Sequence, residues 1–567
     1  MRKDEDILNE AKDRYKIAVE GWDHVYTALK DDLRFVYDVD GGQWPEDILA
    51  SRAGRPVITV NKLQKFVRQL RGDQQQNRAR IQVIPVDNQA DPQMAKLYNG
   101  IIREIEYLSS AEIAYDTAYA HAVAGSVGYF RLLTEYADGD TFEQDIRIRR
   151  IINPTAVHFD PEAIDFCMMD AKYCFIESMV SKKDFQRQYP KVDMNAFSGS
   201  ETLMSDWLEG ENIRIAEYFC KEPKKKTIVE LDNGEIVALD EQNTRADIES
   251  LGFQIVKERE TEDYDVMWYK LCGGAVLQKA KWPGKYIPVI PVFGDEIVAG
   301  GKRHYLSLTR GAKGSQKMYN YWASAATENV MMTPKSPFVV DHRQIKGFER
   351  EWDESNLKNR MYIRYNAIAG LQKPSREPQA QIPSAIVGML QSTAYDIEDH
   401  LGRYESSKGD ASNERSGKAI IARIRQSDKG SYTFVDNMTR AIVYCGRQLI
   451  DLIPKIYDTH RALRIQGENG EQELAEVNIP TMDESGQIAT QNDLSVGKFD
   501  LIATLGASYG SQRQEMVQMM IESMQYAPQL APIIAPLVFK YSDWPGAEEI
   551  YGEMQKAMQQ MQQEPQE

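Results

Sequence analysis

The stretch GRYESSKGDASNERSGKAIIARIRQSDKGSYTFVDN (402–437) decides how the rest of the chain is read. Its first half is a polar loop. Its second half becomes a helical pattern, with Ile420, Ile421, Ile424 and Phe434 on the apolar side. At the junction stands Ser416-Gly417-Lys418, which looks like half of a phosphate-binding loop. The complete loop is G-x-x-x-x-G-K-[ST], in which the first glycine opens the turn and the final hydroxyl holds magnesium. Here Ser412 takes the first glycine's place and Ala419 takes that of the hydroxyl. Such a loop also follows a buried strand, whereas residues 382–404 read as a helix. The spacing therefore argues against a nucleotide hydrolase. What the loop offers instead is charge from Lys408, Arg415 and Lys418, neutral hydrogen-bonding groups from Ser412, Asn413 and Ser416, and sharp turns at Gly409 and Gly417. That composition suits transient contact with a phosphate backbone. Composition alone favours an ordinary solvated connector between two helices, because loops are usually polar.

Composition sets the outer bounds. At 567 residues the chain has room for two to four domains, and 42% apolar with 27% charged residues is normal for a globular protein. The formal net charge is −17, which argues against wrapping nucleic acid tightly. It is compatible with a channel past which DNA slides, because an acidic wall repels phosphates. The five cysteines, Cys167, Cys174, Cys220, Cys272 and Cys445, are scattered without a CxxC pair. They read as free thiols in a reducing compartment and provide no zinc site. Asp396, Asp399 and His400 share one helix face, a pattern that more often marks a solvated surface than a metal site. The opening MRKDEDILNEAKDR is charged throughout and is not a signal peptide. The most apolar run, LAPIIAPLVF (530–539), is too short to span a bilayer and carries two prolines. A soluble, membrane-free protein without cofactor is expected.

Outward from the loop, the pattern is α+β: long helices with mixed β segments. Residues 4–36 read as an amphipathic helix. Leu63, Phe66, Val67 and Leu70 mark another, with Asn61 as N-cap and Gly72 at its end. ARIQVIPV is a strand that Pro85 confines to an edge. Residues 92–124 form two helices parted near Ser109-Ser110, followed by strand 127–136 and its hairpin partner 146–151. Ala124-Gly125-Ser126-Val127-Gly128 mimics a nucleophile elbow, but helix–turn–strand is the wrong order for one. Gly125 and Gly128 are better read as cap and turn residues. Residues 213–300 are β-rich, with DNGE (232–235) as a hairpin turn. The basic triplet Lys224, Lys225 and Lys226 lies among these strands and reads as solvated surface. Residues 306–331 read as a long helix despite Gly311 and Gly314, and 383–404 as another. A third runs from about 414 to 452, which at ~1.5 Å per residue exceeds 50 Å, with Gly430 as a possible kink. The C-terminal part is again helical. No constellation along the chain carries catalytic chemistry.

Three blocks carry a resemblance. The first runs from Arg52 through GRPVITVNKL (54–63), VRQLRGDQQQNR (67–78) and IQVIPVD (81–87). The second is NERSGKAIIARIRQSD…FVDNMTRAI (413–442), and the third GKFDLIATLGASYGSQRQE (497–515). In this order they resemble the portal proteins of short-tailed, podovirus-type bacteriophages. The resemblance implies the portal fold, with wing, stem, clip and crown, in a ring usually of twelve subunits at one capsid vertex. Carried over by position, 1–210 is wing and the β-rich 211–300 holds the clip. Residues 301–334 contain a stem helix, 335–401 are wing again, and 402–418 form the tunnel loop. Residues 419–495 are the long helix and wing return, and 496–567 a short crown and tail.

The same resemblance implies a channel for packaging and ejecting dsDNA without reading its sequence. Lys408, Asn413, Arg415, Ser416, Gly417 and Lys418 would face the DNA from the tunnel loop, and Arg310, Lys313 and Lys317 would line the channel from the stem helix. The ATPase would be a separate terminase large subunit. The other implied partners are the major capsid and scaffolding proteins, the head–tail adaptor and the tail proteins, all within the virion. A head–tail adaptor or scaffold protein is the rival structural reading, though adaptors are typically smaller and lack a long helix after such a loop.

Overall fold

The computed structural model describes residues 2–76, 78–86, 92–190, 192, 207–209, 211–232, 234, 236–239, 245–250, 252–332, 338–355, 358, 360–376, 384–401, 432–466, 472–482, 488–497, 499–505, 510–526 and 531–540. The decisive loop, 402–418, and the first part of the helix expected after it lie outside the described residues. So does Gly430. The fold is mixed helix and strand, as expected. The chain forms two compact units. The first comprises residues 1–30, 67–308 and 431–567, and the second residues 31–66 and 309–430. This division differs from the linear one read from sequence. The β-rich 211–300 belongs to the same unit as the N-terminal segments, and 335–401 belongs with the helix that precedes it.

In the first unit, helix α1 (Asp4–Val36) contributes all but its last turns. Its buried Ile7, Ala11 and Ala18 pack on Tyr173, Phe175, Trp207, Tyr218, Cys220, Tyr269 and Leu271. Those residues line one face of a large antiparallel sheet. Its strands are β4 (Val157–Phe159), β5 (Tyr173–Ser181), β6 (Asn212–Leu231), β7 (Ile236–Leu239), β8 (Ile255–Cys272) and β9 (Ala275–Lys281). The main path runs β9-β8-β6-β5-β4, with β7 pairing β6. The sequence pattern separates IRIAEYFC from TIVEL, yet both lie in the unbroken β6. Turn-like Pro223 is accommodated because it sits in an exposed part of the β6–β8 ribbon. Beyond that stretch Val229, Leu231 and Ile248 form a small core of their own. The DNGE turn joins β6 to β7 as expected, with Gly234 at φ 83°.

A second sheet packs under helices α3 (Pro92–Ser109), α4 (Ala111–Gly125) and α7 (Tyr432–Ile456). Its order is β10-β2-β3, with β2 (Val127–Tyr136), β3 (Gln144–Arg150) and β10 (Val289–Phe293). Ser110, at φ 48°, parts α3 from α4 where the sequence places the break. On α7, Asn437 donates to the carbonyls of Phe293 and Gly294 (3.2 and 2.8 Å), and Gln448 donates to Ile287 O (3.1 Å). These amides tie the helix to backbone carbonyls flanking both ends of β10. Strand β1 (Ala79–Pro85) pairs antiparallel with β15 (Phe499–Leu505), so the third sequence block returns onto the first. Two further strands, β11 (Asp295–Ala299) and β12 (Lys302–Leu306), form a hairpin.

Several boundaries differ from expectation. Helix α2 (Leu63–Gln76) is capped by Asn61, whose Oδ1 accepts from Gln64 N (3.2 Å), but it runs on past Gly72. A glycine inside a helix costs only about 1 kcal/mol, and the helix formers that follow outweigh that. Helix α5 (Lys313–Met332) begins well after residue 306, because Lys302–Leu306 is strand and Leu308 N donates to Val123 O (3.0 Å). Arg310 therefore precedes the helix. Helix α6 (Ser384–His400) lies within the expected 383–404. Gly128 is not a turn residue. It lies within β2, where a Cβ would meet Ala118 O at 2.0 Å. Gly128→Ala should therefore lower stability by about 3 kcal/mol through a backbone clash that no side chain can relieve, measured as a shift of the chemical-denaturation midpoint.

Candidate functional site

The second unit is organised by residues 56–62, which pair with no strand among the described residues. Their backbone groups still require partners. Helix α5 supplies them from side chains. Lys62 N donates to Gln316 Oε1 (3.1 Å), Val60 N to Asn320 Oδ1 (3.1 Å) and Ile58 N to Ser324 Oγ (2.9 Å). Gln316 Nε2 returns a bond to Val60 O (2.9 Å). Each step of two residues along the segment matches four along the helix. Four helical residues rise ~6 Å and two extended residues ~6.6 Å, so the registers stay together over three rungs. Asn320 Nδ2 also donates to Gln43 Oε1 (2.8 Å). One rung further, Arg52 donates to Pro56 O (3.1 Å) and to Glu328 Oε2 (2.8 Å).

This ladder inverts the helix. The only described α5 side chains that are fully buried are Gln316, Asn320 and Ser324. The apolar Met318, Tyr321, Val330 and Met331 face outward, Met331 with 70% of its surface exposed. Helix α6 pairs with α5 and also exposes large apolar side chains. Only Thr393 and Ile397 are buried in it, while Val387, Met389 and Tyr395 stand in solvent. Large apolar side chains are thus exposed on both helices.

The three stem cations expected to line a channel lie at the start of this helix. Arg310 donates through Nε and a terminal nitrogen to Asp32 Oδ2 (2.9 and 2.6 Å). Lys313 Nζ lies 2.5 Å from both Asp31 Oδ2 and Asp32 Oδ1, and over the Phe35 ring (5.4 Å). Asp32 is almost wholly buried, so this cluster is a neutralised anchor rather than free positive charge. Lys317 is exposed, with its amine over Phe35 at 5.6 Å. Lys408, Asn413, Arg415, Ser416, Gly417 and Lys418 lie outside the described residues. Sequence reading missed the ladder because Gln316, Asn320 and Ser324 look like the polar face of a surface helix. Their i, i+4, i+8 spacing beside the β-branched VITV was the available signal.

A second polar cluster lies in the first unit, against a cavity of about 580 Å³ lined by Tyr15, Lys30, Asn153, His158, Glu177 and Arg214 among others. Glu177 accepts from Tyr15 OH (2.6 Å), and its carboxylate lies 2.7 Å from His158 Nε2 and 3.4 Å from Arg214 Nε. Burial pushes the Glu177 carboxyl up, but His158, Tyr15 and Arg214 outweigh it and hold the group below its usual range. Burial, with Glu177 alongside, pushes the Tyr15 phenol far up. A carboxylate bonded by three donors is a poor general base. The cluster clamps α1 to β4, β5 and β6. Arg131 and Glu217 make a similar bidentate clamp (2.9 and 2.7 Å), completed by Trp268 (2.9 Å). Among the described residues no group of three or more His, Cys, Asp or Glu is placed to hold a metal, and no helix is long and apolar enough to cross a membrane.

The three ordered sequence blocks point to the structural proteins of the phage portal class. The profile of the Phage P22-like portal protein family matches residues 12–567, and the chain belongs to that family. It is also 26% identical, over 506 residues, to the portal protein of Acyrthosiphon pisum secondary endosymbiont phage 1. That alignment covers 84% of this chain and 70% of its relative.

The ladder predicts a specific sensitivity. Asn320→Leu, close in volume, leaves the Val60 amide and the Gln43 carbonyl unpaired in a buried place. It should cost about 3 kcal/mol in denaturant unfolding, whereas Lys317→Ala should cost under about 0.5 kcal/mol.

Proposed function

We propose that this portal protein closes into a ring, of twelve subunits as the family resemblance implies, at one capsid vertex, and that double-stranded DNA enters and leaves through the ring. The supporting observation is the inverted helix pair. Burial of Gln316, Asn320 and Ser324 with exposure of Met318, Tyr321, Val387, Met389 and Tyr395 makes sense when neighbouring copies cover the outer faces of α5 and α6. A head-to-tail contact of this kind closes into a ring when its rotation permits.

In this reading α5 and α6 are the stem. The segment between them, 338–376, becomes the better candidate for the end that docks the terminase and, later, the head–tail adaptor and tail, because the β-rich 211–300 is part of the first unit. The first unit would be the wing that meets capsid and scaffolding proteins. Residues 402–418, between α6 and α7 in sequence, would form the tunnel loop at the constriction. The charge of −17 per chain, with Arg310 and Lys313 held by aspartates, favours a wall along which DNA slides without being gripped. Contacts would be few and blind to sequence. The force would come from a separate ATPase.

Two outcomes test this. Val387→Asp together with Tyr395→Asp should leave the fold's melting temperature nearly unchanged, because both side chains are exposed, but should collapse the ring population seen by mass photometry. Persistence of full rings would contradict the assignment of the stem surface. Lys408→Ala with Arg415→Ala should leave rings intact while reducing the DNA retained in heads. Unchanged packaging would remove the tunnel-loop role.

A further inference from the structure

The cavity beside Glu177 lies wholly within the first unit, and the clamp on Glu177 uses only part of its wall. Among the residues that line it, Lys30, Asn153 and Ser178 are exposed, so its mouth is open to solvent. Its volume of about 580 Å³ exceeds what a few ordered waters fill.

The hydrogen-bonding capacity left over in this lining is mostly donor. The one carboxylate among the described lining residues, Glu177, is already held by Tyr15, His158 and Arg214. Asn153 Oδ1 accepts from Thr155 N (3.1 Å) and from Thr155 Oγ1 (2.9 Å). Those bonds fix the amide and leave its N–H donors over. Lys30 makes no hydrogen bond or ion pair among the described residues, and its ammonium is donor only. Two cations, Lys30 and Arg214, stand against one carboxylate, so the lining is net positive in a chain of net charge −17. His158, 6% exposed, engages Glu177 through Nε2, while its Nδ1 has no hydrogen-bond partner among the described residues. Buried polar groups are rarely left unpaired, so this wall is not complete in the chain alone. Val19, Ala156 and Met179 add an apolar side. The complement of such a wall is an anion rich in acceptors, on a short apolar frame.

We propose that this cleft binds an oxyanion, a carboxylate or phosphate group, with Lys30 and the Asn153 amide as its donors and Arg214 as a supporting charge. The bound group leaves the Glu177 clamp in place, because Lys30 and Asn153 take no part in it. The proposal does not depend on the ring reading. A free small anion and an acidic side chain of a neighbouring chain present the same chemistry, and the test separates them.

Isothermal titration calorimetry of the full-length chain, with sodium succinate and with sodium phosphate at constant ionic strength, is the first arm. Saturable binding of either ion is expected. Lys30→Ala should weaken it about tenfold, the loss of one charge-assisted hydrogen bond. Lys16→Ala removes an exposed lysine of the same helix that does not line the cavity, and should leave binding unchanged. That pattern assigns a free oxyanion. The second arm is acetylation of Lys30 and Lys16 in assembled protein. If neither ion binds, but Lys30 alone resists acetylation and high salt restores its reactivity, the oxyanion is a carboxylate of a neighbouring chain. Binding that Lys30→Ala leaves intact, or that Lys16→Ala weakens equally, would overturn the proposal. So would the absence of binding together with a Lys30 that acetylates freely, or whose protection salt does not relieve.

Discussion

An extended backbone without a strand beside it has to be satisfied by something, and in this protein a helix does it. Residues 56–62 present their amides to Gln316, Asn320 and Ser324. That single requirement turns the polar stripe of α5 inward and leaves its apolar residues outside. In an ordinary surface helix the hydrophobic effect orients the stripe the other way. Here the amides of Ile58, Val60 and Lys62 take those polar side chains as partners, and Met318 and Tyr321 stay exposed.

Charge follows the same economy. Cations that a channel wall would offer at the start of α5 are spent on Asp31 and Asp32. In the first unit Glu177 and Glu217 are each saturated by donors from several elements. Carboxylates of this kind, each held by several donors, keep neighbouring elements in register. The family is one of structural proteins, and the two clamps behave as structural parts.

Much of this was legible in the sequence. Period-3.6 patterns located α1, α3, α4 and α6 closely, and the DNGE turn placed the β6–β7 hairpin. Local rules misplaced elements where tertiary contacts decide. Residues 307–312 look helical, but β12 and the Leu308–Val123 bond hold the chain out of a helix. Gly128 looks like a turn residue, and only the nearness of the Ala118 carbonyl explains it. The site was less legible than the fold. Polar residues at i, i+4 and i+8 look solvent-facing until the segment they read is known, and that segment lies more than 250 residues earlier in the chain. The division into two units, each built from separated stretches, also has no local signature.

The central claim is that the outward apolar faces of α5 and α6 are covered by other copies of the same chain. Single-particle electron microscopy of the purified full-length protein tests it most directly. The account predicts closed rings with a central opening wide enough for a DNA duplex, and with Met318, Tyr321, Val387 and Tyr395 buried between neighbours. Discrete monomers, or rings in which these side chains remain in solvent, would contradict it.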